Sequence, residues 1–540
     1  MNELLVLLRQ RRRRDRFQLA VWIISIGLLT YASTASVAGT YGDEAGRTQI
    51  LQLAVATRTV LVFRGTPNGP SLGAFVFFEL FSWLAVMVGL MSSFLAVRHS
   101  RADEELGRAE LVASTPAGRI LPTVATVVHG LLANVVVGVL VALALIANGL
   151  DAAGSFVFGA AVTAVGATCL AFGLFVAQLF RTSRGANGAG VAFVIGAYIM
   201  RGIGDAAGTP SDDLLHVTPA WPSWISPIGW GQATGAYVRN DLRPLLLAVV
   251  FSAVLVAVVF GLQSVRDQGA SLIPGRPGRA NAGPLLSSSV GLAWRLNSTV
   301  IASWAVGGAV GGLLATSLSS LVDEVGSEAP DVAKVLQGSL GGAASLEQAL
   351  MATVFGIVGV LACCCVVQIG IRARQEEAHG TAETVLTTPV PRIRWLADYW
   401  LVGVLATLIV LACAALAGLV GVGRAADPDA LATELVETAI AQIPVALVFL
   451  GLTLLVFAYL PRATIPLAWS LVGFLAMLGI FGPLFGVPKW LVNVSPFTHA
   501  PVPVGDSVDW TGGLWMIGIG LVTAALAVAS MRRRELVTGG

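Results

Sequence analysis

Long apolar runs separated by short polar segments set the pattern of this chain. Broken at charges, prolines and glycine clusters, the hydropathy predicts helices near 19–40, 75–97, 121–145, 156–180, 188–203 and 245–265. A second set follows near 299–318, 349–371, 395–422, 440–460, 463–481 and 512–530. Each run matches or approaches the about 20 residues a helix needs to cross a hydrocarbon core roughly 30 Å thick. Within that core every backbone polar group must be paired internally, which a helix achieves alone. The expected architecture is an all-α integral membrane protein of about twelve transmembrane helices, arranged as two parallel six-helix repeats. Its parts are an amphipathic lead-in helix (1–18), a first six-span half (19–265), a linker with a second lead-in helix (266–298), a second six-span half (299–530) and a tail (531–540).

Composition agrees: 56% of the 540 residues are hydrophobic and 12% charged, against roughly 25% charged in a soluble domain. Lys334 and Lys489 are the two lysines; the other cations are arginines in short clusters between apolar runs. Without a contiguous basic face, no nucleic-acid partner is expected. With both termini placed in the cytoplasm, the inner segments hold 24 of the 33 Lys and Arg, as the positive-inside rule requires. Arg13-Arg14-Asp15-Arg16-Phe17 ahead of the first apolar run also suits a signal peptide. The counterpart of that run behind Trp294 and Arg295 argues that it is kept as a span.

The most specific signal is an internal repeat. The segments 101–119 and 374–392, shifted by 273 residues without a gap, follow the second and eighth spans. They share nine of nineteen positions: Arg101/Arg374, Glu104/Glu377, Gly107/Gly380, Ala109/Ala382, Glu110/Glu383, Val112/Val385, Thr115/Thr388, Pro116/Pro389 and Arg119/Arg392. A weaker echo, Ser226-Pro227 against Ser495-Pro496, precedes the last span of each half and suits an outer re-entrant segment. Each charged copy reads as a short amphipathic helix ending at its Thr-Pro turn. At helical spacing Glu104, Gly107 and Glu110, like Glu377, Gly380 and Glu383, would share a face, with a glycine notch between carboxylates. A lone copy would pass for a solvated loop; two copies at matching positions point to a docking surface for a repeated partner.

Two six-span halves, a basic lead-in, an E-x-x-G-x-x-E segment after the second span and a Ser-Pro segment before the sixth resemble permeases of the bacterial ABC-2 exporter class. The fused form is similar to actinobacterial polyketide-antibiotic and multidrug exporter permeases. The resemblance implies that Glu104, Gly107, Glu110, Thr115 and Pro116, with Glu377, Gly380, Glu383, Thr388 and Pro389, couple the chain to a separate ABC ATPase, as two copies, in the plasma membrane. Ala378 and His379 stand where Glu105 and Leu106 do, so the two seats need not be equivalent.

No ATP site is expected in the chain itself. A P-loop needs Gly-Lys-Ser/Thr, whereas Lys334 follows Ala333 and Lys489 follows Pro488. ATP and magnesium are therefore assigned to the partner. No catalytic constellation stands out. The five cysteines, Cys169, Cys363, Cys364, Cys365 and Cys413, lie in apolar runs without metal-ligand spacing to the histidines, and no metal site is expected. Glu79 and Arg201 sit near outer span ends, where snorkelling explains them. His129 is either a packing histidine or a proton or substrate group. Asp398 and Glu437 border spans and read as solvated, and Gly307, Gly308, Gly311 and Gly312 read as a helix-packing stripe.

A proton-driven transporter of two six-helix halves is the alternative, with Glu79 and His129 as its candidate relay. The long charged segment after the second span favours ATP-driven export of hydrophobic or amphipathic cargo. A membrane scaffold without transport stays open.

Overall fold

A computed structural model describes residues 2–536 except 57, 116–117, 268, 274–280, 282, 329–345, 423–427, 482–487, 502 and 505–506. Among the described residues, 12 helices are long and apolar enough to cross a membrane by length and composition. In the first half they are Glu3–Thr40, Leu72–Glu105, Leu121–Ala147, Ala152–Leu179, Ser183–Ala206 and Leu245–Val265. In the second they are Ser289–Thr316, Met351–Ala378, Arg392–Val422, Pro428–Tyr459, Pro461–Ile480 and Thr511–Ser530. The described strands are two short antiparallel pairs, Thr209–Pro210 with Val217–Thr218 and Pro503–Val504 with Ser507–Val508.

Every expected span is present, and the differences have simple causes. The first lead-in and first span form one helix, α1 (Asn2–Thr40, 39 residues). At about 1.5 Å per residue it is nearly twice the hydrocarbon thickness, so its arginine-rich start extends beyond the apolar layer. The fifth span is longer than expected because Arg184 and Asp205, in its first and last turns, interrupt its hydropathy. The tenth begins at Pro428, earlier than expected, because Asp429, Glu434 and Glu437 lower the hydropathy of its first turns; it consists of two helices, Pro428–Ile440 and Ile443–Tyr459. Two helices between the first and second spans, α2 (Glu44–Ala56) and α3 (Arg58–Arg64), were not foreseen. They are shorter than a span and only part-apolar, so hydropathy passes over them.

The other helices of the first half are α4 (Leu72–Arg98), α5 (Arg101–Glu105), α6 (Arg108–Ala113), α7 (Leu121–Ala147), α8 (Ala152–Leu179), α9 (Ser183–Ala206), α10 (Pro227–Gln232) and α11 (Leu245–Val265). The seventh span lies within α12 (Ser289–Glu328).

The chain divides into two compact units, Met1–Pro277 and Gly278–Gly540, parting within the expected linker. In each unit the second and fourth spans are the most buried and the sixth is mostly exposed, a shared pattern that supports the repeat. In the first unit Phe77 and Phe81 of α4 pack with Phe158 of α8, the Phe77 and Phe158 rings edge-on at 4.9 Å. Such a pair adds about 0.5–1.5 kcal/mol beyond its buried area.

In the second unit the glycine stripe of α12 faces two neighbours. A Cβ on Gly308 would lie 2.7 Å from the Val410 carbonyl oxygen, and one on Gly312 would collide with that of Ala414. Gly311 instead faces Val358 of the eighth span. Removing side chains lets the backbones of the seventh and ninth spans touch, the expected use of the motif. Replacing Gly312 by leucine is predicted to cost about 1–3 kcal/mol or more, read as a lower unfolding temperature in detergent. Gly356→Ala, where the added methyl meets open space, should leave that temperature near the wild-type value.

Candidate coupling surface

The two charged segments fold alike because each contains a glycine in the left-handed region. In the first half α4 gives way to α5, Gly107 turns at φ +69°, and α6 follows. In the second, the helix Leu346–Ala378 ends, Gly380 turns at φ +75°, and Thr381–Leu386 follows. An L side chain in that conformation costs on the order of 1 kcal/mol, which explains why glycine occupies both positions. The expectation of one continuous helix with Glu, Gly and Glu on a single face is therefore corrected. Glycine is the corner between two helices, and the glutamates on either side of it meet different surroundings.

The first glutamate of each copy faces inward. Glu104 accepts from Arg101 Nη1 at 2.8 Å and from Arg266 Nη2 at 2.5 Å, Arg266 lying just past the sixth span. Fully buried Glu377 accepts from Arg534 Nη2 at 2.5 and 2.8 Å, Arg534 lying just past the twelfth span. Arg374 stands 3.9 Å from the same carboxylate. The last shared residue completes each set: Arg119 donates to the Arg266 carbonyl at 2.7 Å, and Arg392 donates to the Arg534 carbonyl. Arg101, itself buried, also donates from Nε to the Ala177 carbonyl near the end of the fourth span at 2.8 Å.

Three of the nine repeated residues thus form a staple between the charged segment and the exit of the last span in the same half. Burial pulls the Arg534 guanidinium below its ordinary pKa, and Glu377 opposes that pull. Arg534 also lies over the Phe457 ring at 4.6 Å.

What remains at the surface is the second part of each motif. Glu110, Thr115, Glu383, Thr388 and Pro389 are exposed, and Pro116 lies outside the described residues. Thr115 Oγ1 donates to the Val112 carbonyl at 2.6 Å and Thr388 Oγ1 to that of Val385 at 2.5 Å. The two surfaces differ in chemistry. Leu106 and Leu111 are 61% and 71% exposed in the first copy, where the second presents His379 and Thr384.

The Ser-Pro segments also fold alike. Ser226 Oγ donates to the Ala197 carbonyl at 2.6 Å and accepts from the Ile228 and Gly229 amides, capping the buried helix α10 begun by Pro227. Ser495 Oγ donates to the Leu475 carbonyl at 2.7 Å and accepts from the Phe497 amide, capping a short 3₁₀ turn begun by Pro496. Each serine ties a short helical segment to the fifth span of its half.

The intramembrane candidates are paired. Glu79 forms an ion pair with Arg64 of α3. Arg201 does not snorkel: it is fully buried, 3.1 Å from Asp205, and donates to the Val62 carbonyl at 2.7 Å. Asp205 in turn accepts from Ser223 and Gln232, so this network joins α3, the fifth span and the segment beyond it. Asp398, expected to be solvated, is 5% exposed. His129 contacts Asp15, which, like His99, sequence reasoning passed over; the partners stand 84 and 114 residues from Asp15, and no local spacing joins them.

Two six-span units, each with a charged corner held against its own last span, make the architecture expected of an ABC-type exporter permease with both halves in one chain. Residues 286–532 match the family model described as Multidrug efflux system permease Rv1217c, C-terminal domain. The chain is 34% identical over 541 residues to the Multidrug efflux system permease protein Rv1217c of Mycobacterium tuberculosis, covering 98% of this chain and 94% of that protein. It belongs to this family of multidrug efflux permeases.

Removing one partner of a buried ion pair strands the other charge. Glu377→Ala is predicted to destabilise the protein by about 3–5 kcal/mol. Glu377→Ala with Arg534→Ala should cost less than the sum of the single changes, a coupling that a double-mutant cycle of thermal unfolding in detergent measures.

Proposed function

We propose that the chain is the membrane subunit of an ATP-driven exporter, lying in a bacterial plasma membrane with both termini cytoplasmic. Two copies of a separate ABC ATPase seat on the exposed parts of the two charged segments and carry the ATP and magnesium. The observation that carries this reading is the paired staple, Glu104 with Arg266 and Glu377 with Arg534. A partner pressing on α6 or on Thr381–Leu386 moves a corner that is tied to the end of the sixth or twelfth span. Nucleotide-driven closure of the partner is thereby transmitted to spans in each half, and the movement of those spans carries cargo outward. The relative's name, a multidrug efflux permease, supports hydrophobic or amphipathic small molecules as cargo, consistent with the predominantly apolar spans.

The two seats are unequal in this mechanism. Leu106 and Leu111 offer an apolar contact that His379 and Thr384 do not. The first seat therefore supplies more of the partner's binding energy, because truncating exposed leucines that become buried costs apolar contact area.

The test is co-purification of the tagged chain with its ATPase from detergent, with ATP hydrolysis measured on the complex. Glu110→Arg with Glu383→Arg should lose the ATPase at unchanged fold. Leu106→Ser with Leu111→Ser should weaken retention more than His379→Ser with Thr384→Ser. Absence of any co-purifying ATPase with the folded wild-type protein would overturn the proposal.

A further inference from the structure

A second cluster in the first unit plays no part in the staple. Asp15 of α1, His99 just past α4 and His129 of α7 are buried together, with one ligand atom of each within 4.8 Å of the others. His99 Nε2 lies 2.5 Å and His129 Nε2 3.0 Å from the same oxygen, Asp15 Oδ2. The imidazoles are perpendicular, their centroids 5.8 Å apart, so two ring edges converge on one point from separate helices.

The groups behind these three are arranged as an outer shell. Asp103 Oδ2 stands 3.8 Å from His99 Nδ1, on the far side of the ring from Asp15. Arg98 Nε lies 3.0 Å from Asp15 Oδ1 and leaves Oδ2 to the two histidines. Arg14 holds Asp103 at 2.7 Å. A metal-binding imidazole typically offers one nitrogen to the ion while a carboxylate faces the other; here Asp103 and Arg98 stand at ion-pair distances from His99 and Asp15. His99 also borders a cavity of about 380 Å³ that Arg14 and Asp103 line as well, so the outer groups of the cluster stand at an open space.

We propose that Asp15 Oδ2, His99 Nε2 and His129 Nε2 bind a divalent transition-metal ion, zinc by the chemistry of the donors. Two imidazole nitrogens and one carboxylate oxygen, with a fourth position left to water, are a set that zinc favours over calcium or magnesium. The ion joins the lead-in helix, the turn ahead of α5 and the third span. Among the described residues the second half offers no equivalent cluster, and the 273-residue shift places Arg372 and Val402 opposite His99 and His129. Metal binding therefore acts on one half of the exporter only.

The test uses the full-length chain purified in detergent on a histidine-free tag, with metal content by mass spectrometry and cobalt substitution followed by visible absorption. Wild type should retain about one zinc per chain, and its cobalt form should show the intense visible bands of a tetrahedral site. Asp15→Asn and His99→Ala should each lower zinc affinity at least about tenfold. His129→Cys, which keeps a ligand, should hold cobalt and gain a sulfur-to-cobalt charge-transfer band. That variant decides the matter even if an alanine change prevents folding. A folded wild type that binds neither zinc nor cobalt, or a folded His129→Cys protein without the new band, overturns the proposal. Neither readout depends on an ATPase partner, so its outcome is separate from that of the exporter reading.

Discussion

The charge pairing of Glu104 with Arg266 and of Glu377 with Arg534 is the constraint on which the cytoplasmic architecture depends. The segments it holds, α6 and Thr381–Leu386, are six residues each, too short to be stable as isolated helices. Their place is fixed instead by side chains that reach from the ends of long spans. Because the carboxylates are withdrawn from water, loss of either partner would leave a charge that the site cannot solvate. The same pairs account for the spacing of the repeat, since the shared arginine at its end closes on the backbone of the arginine that the glutamate holds.

Much of this was legible in the sequence. The twelve spans follow from apolar runs alone, and the duplication followed from residue identity at a fixed shift. The reading failed where a residue's role depends on a partner far along the chain. Glu104 and Glu110 look equivalent at helical spacing, yet one is turned inward by Arg266 and the other stays exposed. Nothing near Arg201 in the sequence shows that the Val62 carbonyl and Asp205 will solvate it in a buried position. Gly107 and Gly380 carried the right clue, because a repeated glycine within a charged segment marks a left-handed turn as readily as a packing notch. Asp15 was read only as part of an arginine-rich leader, since the histidines that touch it stand on the second and third spans, 84 and 114 residues along the chain.

The halves are alike in framework and unlike in detail. The deep burial of their second and fourth spans, their Ser-Pro caps and their staples repeat, whereas the apolar knobs at Leu106 and Leu111 and the Asp15 cluster belong to the first half. Fusing two halves in one chain permits this divergence, because each copy can then change without altering its twin. A symmetric pair of separate half-size subunits could not assign different chemistry to its two sides.

The uninterrupted course of α1 has a mechanical consequence. Near one end Arg11 grips the start of the third span, donating to Thr126 Oγ1 at 2.5 Å and to the Pro122 carbonyl at 2.6 Å. A rod of this length pivoting about its middle moves each tip by about 0.5 Å per degree of tilt. A small rocking of the third span at that grip would thus swing Thr40, on the opposite face of the membrane, through several ångströms without bending a single backbone bond.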